Sequence, residues 1–289
     1  MNTKSKVLRA LVEGDGFSSI AGVYDMLSAR LAQEQGCRVL HVGGYALSAV
    51  RLGLPDVGLL TLSENVEAVS RIASSVELPV IADGDDGYGN HLNVRRLMRE
   101  MERGGLAGMH IEDQVFPKRC GHMAGKRIVS QEAMVQKIKA AVDARHDENF
   151  VLIARTDAIA VEGFEAAMDR AEAYREAGAD VLFVEAPTDD AQVASIPRRV
   201  AAPTLFNWCY GGRSPTPTVA EVRALGYRFV LMTDIVFAMA THLRRIYGQI
   251  ANDAGYGDEV RHMISVDEFN AMIGLGEVET ADRQFSLQS

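Results

Sequence analysis

No stretch of this chain stays apolar for the roughly 20 residues that a membrane-spanning helix needs. Its opening segment, MNTKSKVLRALVEGDG, has neither the apolar core of a secretory signal nor a small-residue cleavage site, so a cytoplasmic protein is expected. Cysteine is scarce. Cys37, Cys120 and Cys209 form an odd set at wide spacings with no CxxC, which argues against a disulfide framework or structural zinc and leaves reduced thiols as the default. Clusters of lysine and arginine interleaved with aromatics are missing and the net charge is -9, so no nucleic-acid partner is expected. No proline-, glycine- or serine-rich linker divides the chain, and 1–289 reads as one domain.

What the chain does have is apolar material, 47% of its 289 residues, arranged as short β-branched runs that alternate with amphipathic helical stretches. Eight runs stand out: FSSIAGV (17–23), RVLHVGG (38–44), PVIADGD (79–85), AGMHIED (107–113), FVLIARTD (150–157), DVLFVEA (180–186), PTLFNW (203–208) and RFVLMTD (228–234). Their nearly continuous apolarity fits parallel strands buried on both faces. Between them, Thr61 and Glu64 have capping-box spacing before an apolar face of Val66, Val69, Ile72 and Val76. Leu92, Val94, Leu97, Met98 and Met101 form a second face. Phe164, Ala167, Met168 and Ala171 form a third, with Gly178 placed to stop that helix. Eight such units in about 240 residues predict a (β/α)8 TIM barrel. A doubly wound open sheet is the alternative, weakened by the absence of GxGxxG after the first run. From about 241 to 289 the chain reads as a further helical extension, more than a barrel needs, which predicts packing on a neighbouring subunit.

In such a barrel the polar residues at the carboxyl ends of strands build the active site. Here these are Gly43 and Gly44, then Asp83, Asp85 and Asp86, Glu112 and Asp113, Arg155, Thr156 and Asp157, Glu185, and Asn207. Acidic groups converging from neighbouring strands repel one another unless a cation lies among them, and an all-oxygen set suits Mg2+, with Mn2+ as the alternative. The bland explanation is that the three aspartates cap a helix and shape a turn. Arg155 suits bidentate capture of a substrate carboxylate, or an ion pair with a nearby aspartate, or both. His41 and His110 alternate with apolar neighbours and read as satisfied core histidines.

The segment EDQVFPKRCGH (112–122) concentrates charge around a thiol. Lys118, Arg119 and His122 beside Cys120 would bias it toward thiolate, and Pro117 with Gly121 suggests a loop that closes over a site. A solvated surface loop with an incidental cysteine is the competing explanation.

Together GLPDVG (53–58), ADGDDGYGN (82–90), KRCGH (118–122), ARTDA (154–158), EAGAD (176–180) and FVEAP (183–187) resemble the isocitrate lyase/phosphoenolpyruvate mutase superfamily, in family order across most of the chain. KRCGH resembles the signature of its carbon–carbon lyases, most of all the 2,3-dimethylmalate lyase, petal death protein and 2-methylisocitrate lyase group. The resemblance implies Mg2+-dependent retro-aldol cleavage of a 2-hydroxy di- or tricarboxylate of the 2-alkylmalate or 2-methylisocitrate type, giving a 2-oxo acid such as pyruvate and a carboxylate. It implies Asp85 as direct metal ligand, Asp83 and Glu112 as holders of the metal's waters, and Asp56 lining the same site. Gly43 and Gly44 would offer N–H groups to the substrate carboxylate, while Arg155 and Glu185 would position the reacting end. Cys120 would be the proton donor, with Lys118 and His122 tuning it and enclosing the dianion. A homotetramer with exchanged C-terminal helices is also implied. Relatives in the superfamily leave phosphonopyruvate-type or carboxyphosphonoenolpyruvate mutase and hydrolase chemistry, and oxaloacetate decarboxylation, as alternatives; a binding role without catalysis would leave the carboxylates without purpose. Four positions depart from the family pattern: bulky Tyr45, Trp208 and Cys209 after Asn207, and Tyr210 where many relatives carry glutamate. With Gly43, Asn207 and these residues at the substrate's distal end, a larger or more apolar acyl group is expected.

Overall fold

The computed structural model describes residues 2–286. All eight expected strands form: β1 (Ser18–Val23), β2 (Leu40–Val42), β3 (Val80–Asp83), β4 (Gly108–Glu112), β5 (Val151–Thr156), β6 (Val181–Val184), β7 (Thr204–Trp208) and β8 (Phe229–Met232). They pair in parallel and in chain order, and β8 returns to β1 with Ser18 opposite Phe229, closing a (β/α)8 barrel. The open-sheet alternative is thereby excluded.

Period-2 alternation sorts each strand into two cores. Ile20, Ile81, Val151, Ile153, Val181, Phe183, Leu205, Phe229 and Leu231 fill the barrel, and Leu8 and Val12 of the helix Thr3–Glu13 join them. The residues between them, among them Val42, Ala82, Met109, Ile111, Leu152, Ala154, Leu182, Val184, Phe206 and Val230, pack outward under the surrounding helices. Following the inward series upward along each strand replaces aliphatic side chains by polar ones: His41 then Gly43, Asp83, His110 then Glu112, Arg155, Glu185, Asn207. The site is the continuation of the inner core.

The helices carry their expected signals. Thr61 and Glu64 complete a reciprocal capping box on Leu62–Ser74. In His91–Arg103, Val94, Leu97, Met98 and Met101 are buried, but Leu92, expected on the same face, is 64% exposed. Asn90 caps this helix, not any of the three aspartates before it.

Among the described residues, those from Ile235 to Ser286 form a second compact unit. It contains the helix Ile235–Ala251, a short turn of helix at Gly257–His262, and the helices Val266–Met272 and Leu275–Phe285, the last three burying none of their side chains. Among the described residues, no helix is long and apolar enough to cross a membrane.

Candidate active site

The carboxylate side of the mouth is built by the loop after β3. Gly87 and Gly89 take positive φ, and so do Asp85 (φ 48°) and Tyr88 (φ 58°), a conformation that costs an L-residue about 1–2 kcal/mol and is tolerated best by Asp and Asn. The turn aims the carboxylates inward. Asp83 accepts from Gly44 N–H and from Asp85 N–H, each at 2.9 Å. Lys118 Nζ lies 2.7 Å from Asp85 Oδ1 and 2.7 Å from Asp56 Oδ1. Glu112 Oε2 stands 3.2 Å from Arg155 Nε, whereas its Oε1 is buried with no hydrogen-bond partner. Asp86 does not join this group: it accepts from Tyr88 N–H at 3.0 Å, and Lys137 binds its carbonyl.

Charge is poorly balanced here. Burial pushes Asp85 up to about 7, Lys118 opposing and Asp83 and Asp56 adding to the effect. Burial also drives Glu112 well above the carboxylate range against the pull of Arg155. For Asp83 burial is outweighed, and His110, Lys118, Arg155 and the Gly44 N–H hold it below that range. Buried acids that resist ionisation beside an orphaned oxygen fit a site made for one more positive charge. Room for it comes from Gly44, where a Cβ would stand 3.1 Å from Asp83 Oδ2, Asp85 Oδ1 and Lys118 Nζ alike. Among the described residues no three His, Cys, Asp or Glu side chains converge as direct ligands. An ion such as Mg2+ keeps several of its waters and needs only one or two protein carboxylates. The Gly44 N–H, expected to serve a substrate carboxylate, donates to Asp83 in this structure.

Beneath this layer His41 Nε2 and His110 Nε2 are 2.9 Å apart with stacked rings, so both are core residues as expected, but neither is fully satisfied, since the Nδ1 of each is buried with no hydrogen-bond partner. Burial lowers the pKa of His41 to about 3.

The opposite side centres on Arg155, which is both ion-paired and aimed at the mouth. Its Nε and Nη2 donate to Asp157 at 3.0 and 3.1 Å, and Nη1 lies 3.6 Å from Glu185. His122 Nδ1 accepts from Arg213 N–H at 3.0 Å, which leaves the ring proton on Nε2, 3.1 Å from Glu185 Oε1. Asn207 Nδ2 donates to Glu185 at 3.3 Å.

The loop between β4 and the helix Gln131–Ala144 is closed over this array. Its base is a bridge between Gln114 and Ile128, and Gln114 exchanges hydrogen bonds with the backbone of Arg119. Gly121 touches Arg155 and Glu185 so closely that a Cβ would overlap Arg155 Nη2 and stand 2.6 Å from Glu185 Cγ. Cys120 N–H donates to Asp56 carbonyl at 3.2 Å. Burial pushes its thiol up to about 11, which favours the protonated form over the thiolate. The sequence neighbours suggested the reverse, but each cation is engaged elsewhere: Lys118 with Asp56 and Asp85, Arg119 with the Ala124 carbonyl, His122 with Glu185.

The distal residues also need correcting. On β7, Leu205 and Asn207 face inward while Phe206 and Trp208 pack outward, and the Trp208 indole donates to Pro217 carbonyl. Tyr210 is 73% exposed. The outward-packed Trp208 ring therefore does not line the mouth. Cys209, next in the inward series, does; burial, Asp234, Cys120 and Glu185 raise its thiol to about 12. Tyr45 stands at the same rim, its phenol raised by burial and then by Cys120, Asp56 and Cys209. Lys126 was not singled out from sequence as a site residue, although Asp157, its partner, was; the second lysine of PKRCGHMAGK was the available signal.

Residues 8–251 match the model of the phosphoenolpyruvate phosphomutase family. The chain is 38% identical over 287 residues to 2,3-dimethylmalate lyase of Eubacterium barkeri, covering 99% of both chains. It is 41% identical over 281 residues to 2-methylisocitrate lyase of Aeropyrum pernix, covering 97% of this chain and 90% of that one. Among solved structures, oxaloacetate acetylhydrolase in complex with the inhibitor 3,3-difluorooxalacetate superposes with a TM-score of 0.93 at 35% identity, over 98% of this chain and 97% of the other. Phosphonopyruvate hydrolase in complex with oxalate and Mg2+ gives 0.87 at 30% identity, over 98% and 99%.

Proposed function

The chain belongs to the phosphoenolpyruvate mutase/isocitrate lyase superfamily, and we propose that it is a Mg2+-dependent carbon–carbon lyase cleaving a 2-hydroxy dicarboxylate of the 2-alkylmalate or 2-methylisocitrate type. The observation that carries this is the half-buried Cys120 on a loop whose next residue, Gly121, packs directly against Arg155 and Glu185.

Asp85 would hold the cation directly, with Asp83 and Glu112 taking hydrogen bonds from its waters and Asp56 completing the wall. The divalent ion supplies Lewis acidity, making the substrate hydroxyl easier to deprotonate as the new 2-oxo group forms. Arg155, neutralised in part by Asp157 and Glu185, presents its remaining N–H groups to a substrate carboxylate. Lys118 adds positive charge where the dianion sits, and Gly43 and Tyr45 border it. When the carbon–carbon bond breaks, its electron pair stays on the carbon next to the departing carboxylate, and the Cys120 thiol delivers a proton there. A neutral thiol suits that task, since a thiolate has no proton to give. His122 and Asn207 hold Glu185 in place. With Trp208 packed outward, Cys209 and Tyr45 are the side chains that would meet the substrate's alkyl end.

Cleavage of oxaloacetate is the second reading, favoured by the likeness to oxaloacetate acetylhydrolase. Release of 2-oxo acid from 2-alkylmalates, 2-methylisocitrate, oxaloacetate and phosphonopyruvate, with wild type and Cys120→Ala, tests both. Metal-dependent cleavage of a hydroxy diacid that collapses in the variant supports the lyase; turnover of oxaloacetate or phosphonopyruvate alone, indifferent to Cys120, removes it.

We also propose a homotetramer in the cytoplasm. The helices after residue 256, which bury none of their side chains, support exchange between subunits, and free thiols suit a reducing compartment.

A further inference from the structure

The proposed chemistry uses Lys118 and leaves Lys126 unexplained, although both ammonium groups are buried. Lys126 Nζ donates to the Gly121 carbonyl and, at 2.8 Å, to Asp157 Oδ1. That same oxygen accepts Arg155 Nη2 at 3.1 Å, and Asp157 N–H donates to Asp113 Oδ1 at 2.9 Å. One carboxylate therefore binds a lysine of the loop and the arginine of β5 together. Gly121 is gripped twice, through its carbonyl by Lys126 and on its other face by contact with Arg155 and Glu185. Its chain neighbours are Cys120 and His122. Lys126 itself lies next to the loop's fixed base, where Val115 N–H donates to Arg127 carbonyl at 2.8 Å and Val129 N–H to Asp113 carbonyl at 2.8 Å.

We propose that Lys126 is a positioning residue: through Asp157 it couples closure of loop 115–128 to the alignment of Arg155, so Cys120 reaches its working place only when Arg155 is set. A buried ammonium shared between a carboxylate and a carbonyl is stable only while both partners are present, because opening the loop would strand charge in a low-dielectric site. Lys118 closes the carboxylate side of the loop; Lys126 closes the arginine side, independently of any cation at Asp85. The kinetic consequence rests on the lyase reading, but closure can be measured without turnover.

The experiment uses the full chain as wild type, Lys126→Met, Lys126→Arg, Asp157→Asn and, as a control, Tyr174→Phe. The control removes a hydroxyl that donates to Asp113 at 2.8 Å in the same buried network without touching the loop. Iodoacetamide labelling of Cys120 is read against Cys37 in the same molecule by peptide mass spectrometry, well below the melting temperature. Lys126→Met and Asp157→Asn should raise the Cys120/Cys37 ratio about tenfold or more, as expected when a buried pair is broken from either end. Lys126→Arg should restore protection at least in part, and Tyr174→Phe should lower the melting temperature and leave the ratio unchanged. If a hydroxy diacid is turned over, Lys126→Met should lower kcat by about 100-fold with less effect on KM, and Lys126→Arg should recover part of it. A ratio within twofold of wild type in both Lys126→Met and Asp157→Asn, or an equal rise in Tyr174→Phe, overturns the proposal. Absence of turnover on every diacid would sink the lyase reading while leaving the labelling result to stand by itself.

Discussion

Lys118 Nζ stands 2.7 Å from Asp85 Oδ1, so an ammonium carried by the loop rests against the carboxylate proposed to hold the divalent ion. Loop closure and the proposed metal binding would thus share one electrostatic site. Removing Mg2+ with EDTA should lower activity by about 1000-fold, the scale of several kcal/mol of Lewis-acid stabilisation, and added Mg2+ should restore it. Asp85→Asn should lose the same factor, and Mn2+ binding followed by electron paramagnetic resonance should be abolished in it. Undiminished Mn2+ affinity in Asp85→Asn would remove Asp85 as the ligand.

The Cys120 thiol, raised from 9.0 to about 11 by burial, gives a pH signature. At pH 9 an ordinary thiol of that reference value is half ionised, whereas this one would be about 1% ionised. A raised acid pKa favours the protonated folded form, so its contribution to stability is complete below pH 9 and is lost as pH rises toward 11. Cys120 should remain competent as a proton donor until pH nears 11. Iodoacetamide labelling of Cys120 against pH should therefore show a midpoint well above 9, and Cys120→Ala should cost about 100- to 10,000-fold in kcat. A midpoint near 7 would restore the thiolate and contradict the assigned role.

Much of this was legible in the chain because it depends on local pattern. The eight runs are nearly continuously apolar since both faces of each strand are covered, and the polar residues that terminate them, Asp83, Glu112, Arg155 and Glu185, meet because parallel strands all finish on one side of the barrel. The state of Cys120 was not legible. Adjacent positive residues suggested a thiolate, but a loop sends successive side chains to different partners, and those partners come from other strands. The Lys126–Asp157 contact spans 31 positions and has no local signature. Trp208 was misjudged for a simpler reason. Alternation from inward Asn207 already turns it outward, and Cys209 inward.

That alternation makes a specificity test. Trp208→Phe removes one indole hydrogen bond to Pro217 on the outer face, so stability should fall by about 1 kcal/mol while KM and substrate preference stay unchanged. Cys209→Leu enlarges a side chain at the mouth and should change the ratio of kcat/KM between short and long 2-alkylmalates by about tenfold, the scale of a methylene or two in a pocket. Thermal melts and a chain-length series decide it. A shift in preference from Trp208→Phe with none from Cys209→Leu would reverse the assignment of which residue faces substrate.

Val266, Val278 and Phe285 are 75%, 66% and 78% exposed on helices that bury none of their own side chains. Isolated helices of 7 and 11 residues are marginal in water without an apolar surface to cover, since nucleation costs more than so few hydrogen bonds return. A neighbouring subunit would provide that surface, and apolar residues in this number mark an interface. Light scattering after size exclusion should give the mass of a tetramer at micromolar concentration. Val266→Asp combined with Val278→Asp should shift the mass downward while the near-ultraviolet circular dichroism of the barrel, whose core these residues do not enter, stays as in wild type. A monomer at every concentration, or an unchanged tetramer in the double variant, would show that these helices serve something other than assembly.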